Sequence, residues 1–146
     1  MSSLGIALDI GTTNIAGFII DLEKPKDHFC ASLKNSQSSH GLDVITRLTY
    51  CQAKHGSAKT LQRLVINDIN NIIFSLCKKI RVNRKRIEKI IVSANTVILH
   101  FLLGEDTSGL LAYPYDSKIN DSVSISAQDL GIISSKKTKL ITLPVI

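Results

Sequence analysis

The sequence has no tryptophan, a single methionine, three prolines, and an aromatic share of only 5% in its 146 residues. Glycine is also sparse, at eight residues. So few turn-forming residues favour regular helix and strand over a loop-rich fold. The formal net charge of +6 raises the question of nucleic acid, but the densest basic cluster, Arg81, Arg84, Lys85, Arg86 and Lys89, contains no aromatic residue for base stacking. It reads as a solvated connector, as does the second basic group, Lys136, Lys137 and Lys139. Cys30, Cys51 and Cys77 are odd in number and widely spaced, and no C-x-x-C pair exists. That excludes a zinc site or a ferredoxin-type cluster read from spacing and leaves buried, reduced thiols as the expectation. No apolar run is long enough to span a bilayer, and Met1-Ser2-Ser3 offers no basic leader. A cytoplasmic protein that binds neither membrane nor nucleic acid is expected.

Hydrophobic periodicity divides the chain. Leu4 to Asp9 and Asn14 to Asp21 read as two strands, the second buried on both faces, and the short spacer between them requires a hairpin. Phe29 to Leu33 reads as an edge strand. Gly41 to Ala53 places Leu42, Ile45, Leu48 and Thr49 at helical spacing, with Ser38, Ser39 or Asp43 near its start. Thr60 to Ile80 is the clearest helix, with an apolar stripe from Leu61 through Ile69 and Ile73 to Ile80 and Ser57 as its N-cap. Ile87 to Val92 reads as a strand, Thr96 to Leu103 as a helix closed by Gly104, and Thr138 to Leu143 as a last strand after an irregular polar stretch. The order β-β-β-α-α-β-α-β predicts an α/β fold, a mixed sheet with helices on its faces, in one domain over residues 1–146.

One turn carries candidate chemistry. Asp9-Ile10-Gly11-Thr12-Thr13-Asn14 closes the first strand with a carboxylate, a glycine that admits close approach, and a run of hydroxyl, amide and backbone N–H donors. Successive N–H groups of this kind cradle anions. A carboxylate beside a phosphate cradle holds Mg²⁺, usually through water. The competing reading is an ordinary hairpin turn in which Asp9 caps free N–H groups.

The Asp-x-Gly-Thr-Thr hairpin and the element order that follows resemble the superfamily of acetate and sugar kinases, heat-shock seventy chaperones and actin. The domains of that superfamily are two ribonuclease H-like halves with ATP between them. Two further stretches narrow the resemblance: Asn35-Ser36-Gln37 followed by Gly41-Leu42-Asp43-Val44-Ile45-Thr46-Arg47, and Ala94-Asn95-Thr96-Val97-Ile98-Leu99-His100 running to Gly104. They are similar to N-P-Q, G-x-D-V-I-x-R and G-N-T-x-M-x-H-x-x-x-G in the reductive activators of corrinoid proteins. Ser36, Ala94 and Ile98 depart from the proline, glycine and methionine of that pattern, while Leu143-Pro144 again resembles it.

The resemblance implies the first half of an actin-like ATPase domain, in an ATP-dependent activator that returns the oxidised cobalt of a corrinoid protein or methyltransferase to its reduced state. Asp9 would take Mg²⁺, and Gly11, Thr12, Thr13 and Asn14 would take the ATP phosphates. Asn95 would lie near the γ-phosphate, or serve only as an N-cap. The second ATPase half and the electron-carrying iron–sulfur domain are not in this stretch, which has no ligands for a cluster. Alternatives are a small-molecule kinase fragment of the same superfamily, or a non-catalytic module that binds a corrinoid protein or forms a homodimer. Asp43 and Arg47, four residues apart, read as an i, i+4 salt bridge or solvated face, with the lining of a cleft or partner surface as the functional alternative, and His100 reads as a hydrogen-bonded core histidine. Ser93 has no histidine or acid near it in sequence to make it a nucleophile.

Overall fold

Alternation of large aliphatics with small or polar residues along Leu4–Ile10 produces a strand with one apolar face, and this strand (β1) becomes the centre of the sheet. The computed structural model describes residues 3–145; the expectation of no leader over Met1-Ser2-Ser3 falls largely outside them, as does Ile146. The elements that follow β1 are β2 (Asn14–Asp21), β3 (His28–Lys34), α1 (Val44–Ala53), α2 (Ser57–Ile80), β4 (Ile87–Ala94), α3 (Thr96–Leu103), β5 (Ser124–Ser126) and β6 (Lys139–Thr142). The expected order holds with one addition, β5, a three-residue strand inside the stretch read as irregular. Its polar Ser-Ile-Ser sequence carries too little periodicity to announce a strand.

The sheet order is β3-β2-β1-β4-β6-β5. β1, β2 and β3 form antiparallel pairs, β4 and β6 add in parallel to β1, and β5 closes the far edge antiparallel to β6. The result is a mixed α/β sheet in which the carboxyl ends of β1, β4 and β6 share one edge: Ile10 stands opposite Ala94, and Val92 opposite Thr142.

Leu4, Ile6, Leu8, Ile10, Ile15, Ile19, Ile90, Val92 and Leu140 bury one face of this sheet against Val65, Ile69, Ile72 and Ile73 of α2 and Ile98, Leu99 and Leu102 of α3. Each fully buried aliphatic side chain contributes roughly 1.5–3 kcal/mol. The approach is close: a Cβ on Gly17 would lie 2.4 Å from Ile72 Cγ2. α1 packs on the other two helices through Leu48, Leu61 and Phe101. All three helices therefore lie on one side of the sheet, not on both. The opposite face carries Ala7, Asp9, Ala16, Phe18, Ile91 and Ser93, all wholly or partly exposed, so β2 alternates in burial and is not covered on both faces.

Local corrections have simple causes. α2 begins at Ser57, not Thr60; left-handed Gly56 occupies the N-cap position, and Ser57 Oγ instead donates to the Lys54 carbonyl at 2.7 Å. α1 begins at Val44 with Asp43 as its cap, and the apolar spacing misassigns its faces: Leu42 is 77% and Ile45 59% exposed, whereas Arg47 is fully buried. Cys77 is buried and Cys51 half-buried, with thiol pKa values pushed up by burial, but Cys30 lies exposed on the edge strand. α3 matches expectation, capped by Asn95 and terminated by Gly104 in the left-handed conformation (φ 70°) that glycine adopts without penalty. No helix among the described residues is long and apolar enough to cross a membrane.

Candidate functional site

The β1–β2 hairpin turns through Gly11-Thr12-Thr13, closed by the Gly11 N–H donating to the Asn14 carbonyl at 2.9 Å. Gly11 is required by proximity, since a Cβ there would sit 2.8 Å from that same carbonyl oxygen. The three turn carbonyls are then held from the protein side. Asn35 Nδ2 donates to Gly11 O at 3.0 Å, Arg47 Nη2 to Thr12 O at 2.5 Å, and the Asn35 backbone N–H to Thr13 O at 2.8 Å. In a trans peptide the C=O and the following N–H point in opposite directions. Fixing the carbonyls of Gly11 and Thr12 inward therefore turns the N–H groups of Thr12 and Thr13 outward, and neither has a hydrogen-bond partner among the described residues.

The side chains that hold the turn form one buried network. Asn35, fully buried, also accepts the Gln37 N–H through Oδ1 at 3.0 Å. Gln37 donates through Nε2 to the Leu61 carbonyl at 2.9 Å and accepts from Arg47 Nη1 at 3.2 Å. Ser36, in the position where the resembling pattern has proline, donates its N–H and hydroxyl to the two oxygens of Asp68 on α2 at 2.8 and 2.6 Å. Arg47 completes the network through Nε to the Gly41 carbonyl at 2.8 Å. The salt-bridge reading of Asp43 and Arg47 is thereby replaced, and the solvated-face reading holds for Asp43 alone: no ion pair joins them, Asp43 is exposed, and the guanidinium lies behind the turn with neutral oxygens as its partners. Nothing in the local spacing marks Asn35, Gln37 or Arg47 as supports of a turn that lies some distance earlier in the chain; only the tertiary contact of α1 with the hairpin end shows it.

Asp43 is instead the N-cap of α1, accepting from Thr46 N at 2.7 Å and Thr46 Oγ1 at 2.9 Å. These hydrogen bonds, the backbone one first, hold its pKa below the ordinary 3.8. A depressed carboxylate contributes stability that is fully present above the unfolded pKa and is lost as pH falls through the folded one. Asp43→Asn keeps a good cap but removes the titration. Its melting temperature should therefore fall less steeply than that of the parent below about pH 4; parallel curves from pH 6 to pH 2.5 would show that Asp43 supplies none of the acid sensitivity.

Asp9 lies on the open sheet face, exposed, with Ala16 as its cross-strand partner on one side and Ser93 on the other. Its carboxylate forms no hydrogen bond or ion pair among the described residues, so the capping of turn N–H groups by Asp9 is not what this hairpin does. Ser93, isolated from any acid in sequence, is brought beside Asp9 by the parallel register. A shallow hollow lined by Ala7, Asp9, Phe18, Ile91, Ser93 and Leu143 opens on this face. Asn95 follows β4 directly at the same sheet edge as Gly11 and is exposed; its Oδ1 accepts the Ile98 N–H at 2.9 Å, leaving Nδ2 unengaged among the described residues. The N-cap reading of Asn95 is therefore realised. His100 is fully buried: Nδ1 lies 2.7 Å from the Thr96 carbonyl, and Nε2 accepts the Lys118 N–H at 3.1 Å. That pattern assigns the neutral Nδ1–H tautomer to a histidine that holds structure.

These features define a class: a mixed α/β domain that presents, at the carboxyl edge of its parallel strands, a hairpin turn with bound carbonyls and free N–H groups beside an unpaired carboxylate. The chain belongs to the RACo middle region family, whose model matches residues 4–146. It is 26% identical over 142 residues to the corrinoid activation enzyme RamQ of Eubacterium limosum, a match that covers 97% of this chain and 24% of that protein. It also superposes with a TM-score of 0.93 and 29% identity on the solved structure of a reductive activator for corrinoid, iron-sulfur protein, over 98% of this chain and 23% of that one. The chain thus spans about a quarter of the length of the relatives it matches.

Proposed function

We propose that this chain is the N-terminal half of an actin-like ATPase domain, ribonuclease H-like in topology, within an ATP-dependent activator that drives the reductive reactivation of a corrinoid protein or methyltransferase. The observation that carries the ATP part is the outward N–H pair of Thr12 and Thr13 beside the unpaired carboxylate of Asp9. The role in corrinoid activation follows from the family and from the two relatives named above.

In this reading Gly11 gives the phosphates access to the turn. The N–H and hydroxyl groups of Thr12 and Thr13 and the side chain of Asn14 bind the phosphate oxygens. Asp9 would hold Mg²⁺, and Asn95, whose Nδ2 is unengaged, would supply a donor to the phosphates. Among the described residues no group of three His, Cys, Asp or Glu is placed to hold a metal. A single carboxylate suits Mg²⁺, which keeps its waters and takes its remaining ligands from phosphate; when bound, the ion neutralises phosphate charge. An α/β sheet of this kind offers its ligand site outside the carboxyl ends of the strands, where Gly11 and Asn95 follow the paired Ile10 and Ala94. The partners in this reading are the nucleotide and a corrinoid protein or methyltransferase; the setting is the cytoplasm.

The test uses the protein carrying both ATPase halves. Mg-ATP at about a hundred times its Kd should stabilise it by roughly 2.7 kcal/mol, and chelation of Mg²⁺ should cancel the gain. ATP hydrolysis should accompany return of the corrinoid to its reduced form, followed in the visible spectrum. No melting shift at saturating Mg-ATP would sink the proposal.

A further inference from the structure

Arg47 has no exposed surface and no carboxylate within ion-pair distance among the described residues. Its partners are the carbonyls of Gly41 and Thr12, Gln37 Oε1 and, at 3.4 Å, Ser38 Oγ. Asp43 stands one helical turn away and exerts a secondary pull, but its carboxylate is committed to Thr46. Burial is the main influence on the guanidinium and pulls its pKa down from the ordinary arginine value, yet an arginine keeps its proton. A buried charge that faces only neutral acceptors is costly relative to one with a counter-ion.

The direction of this charge relates it to the turn. Nη2 donates to the Thr12 carbonyl, and the other end of that peptide plane is the outward Thr13 N–H. A cationic donor on the carbonyl polarises the amide and makes its N–H a stronger donor. We infer that Arg47 is a positioning residue whose buried charge has its counter-ion in the ligand: it biases the turn toward a polyanion, a triphosphate above a diphosphate or a neutral nucleoside, through the Thr12–Thr13 peptide and without touching the ligand itself. This rests on the phosphate reading of the turn and adds a source of its anion preference.

The test supplies the missing carboxylate from inside. Ser38→Asp places one beside Nη2 while leaving the bonds of Arg47 to Gln37, Gly41 and Thr12 in place; Ser38→Asn is the neutral control. In the 146-residue chain, the backbone amide signals of Thr12 and Thr13 are followed by NMR during titration with Mg²⁺ and inorganic tripolyphosphate. The parent and Ser38→Asn should show both signals shifting, with about tenfold weaker affinity in Ser38→Asp and a melting temperature equal to or above the parent's. Arg47→Lys, which keeps the charge without the fork, should bind tripolyphosphate more tightly than Arg47→Gln. A merely structural Arg47 predicts no loss in Ser38→Asp, because nothing that holds the turn has been removed. Equal affinity in Ser38→Asp and the parent, or no shift of the Thr12 and Thr13 amides in the parent, overturns the inference. The phosphate reading itself fails only if Mg-ATP also leaves the two-half protein unstabilised.

Discussion

On the ATP-binding reading proposed above, replacing Asp9 by asparagine in the two-half protein should weaken Mg²⁺-dependent nucleotide binding at least about a hundredfold, while its melting temperature stays within about 2 °C of the parent's. The separation of the two effects follows from the position of the side chain. Asp9 is exposed on the uncovered sheet face, and its carboxylate bonds to nothing among the described residues. Asparagine has the same shape and the same β1 backbone, so the strand pairs with Ala16 and Ser93 are undisturbed. What it lacks is the charge. Mg²⁺ retains most of its waters and depends on one or two carboxylates for its attachment to protein, so losing the Asp9 carboxylate should weaken Mg-ATP at least about a hundredfold. Calorimetric titration with Mg-ATP, paired with a melt of each variant, reads both quantities. An Asp9→Asn protein that binds Mg-ATP as the parent does would remove Asp9 from the site. A protein that unfolds would show the carboxylate to be structural.

The second large effect concerns Asn35, where the reverse separation is expected. Asn35→Ala should destabilise the chain by about 3 kcal/mol, or roughly 10 °C in melting temperature. The side chain is fully buried and joins two backbone groups, the Gly11 carbonyl through Nδ2 and the Gln37 N–H through Oδ1. Alanine leaves both without partners in the interior, and each such orphan costs about 1–3 kcal/mol. Asn35→Asp should be no better: it restores the acceptor for Gln37 but faces the Gly11 carbonyl with a second oxygen. Hydrogen exchange at the turn amides should speed up in both variants, because the carbonyl that orients the Thr12 N–H is no longer held. A loss below about 1 kcal/mol would show that water replaces the amide, and that the turn keeps its shape without it.

Much of this architecture is legible before the coordinates. The strands β1, β2 and β4, the long helix α2 and the capped helix α3 announce themselves because their signals are local: alternation along Leu4–Ile10, a stripe of aliphatics along α2, an asparagine before and a glycine after Thr96–Leu103. The site is legible only in its front half. Asp9 and the Gly-Thr-Thr donors stand together in sequence, so the turn and the groups it presents can be read from residue type. Its back half is not, because an arginine four residues after an aspartate on an amphipathic helix has the pattern of a surface ion pair. The observed burial of Arg47 comes from the hairpin packing beside it, a contact with no local signature. Leu42 and Ile45 mislead for the same reason: periodicity assigns apolar residues to the core, yet α1 gives its inward side to the guanidinium and Leu48. The one-sided placement of the helices is also invisible, since Phe18 and Ile91 are as hydrophobic on the open face as their neighbours are on the covered one.

The distances along the chain between the turn and its supports set an order in time. The β1–β2 hairpin needs only neighbouring residues and can close in roughly 1–10 μs. The residues that hold it come later: Asn35 lies 24 positions after Gly11 and Arg47 lies 35 after Thr12, while the parallel partner of Leu4 is Ile87. Non-local pairings are made late, because the chain entropy of closing the loop is lost before the contact is gained. During folding, the hairpin therefore exists first as a loop whose peptide planes are free to rotate. It acquires its outward-facing amides only when the first helix closes over it and β4 docks alongside. The donors are set by the same event that completes the sheet, so a chain that has not finished folding has no turn with outward amides to present.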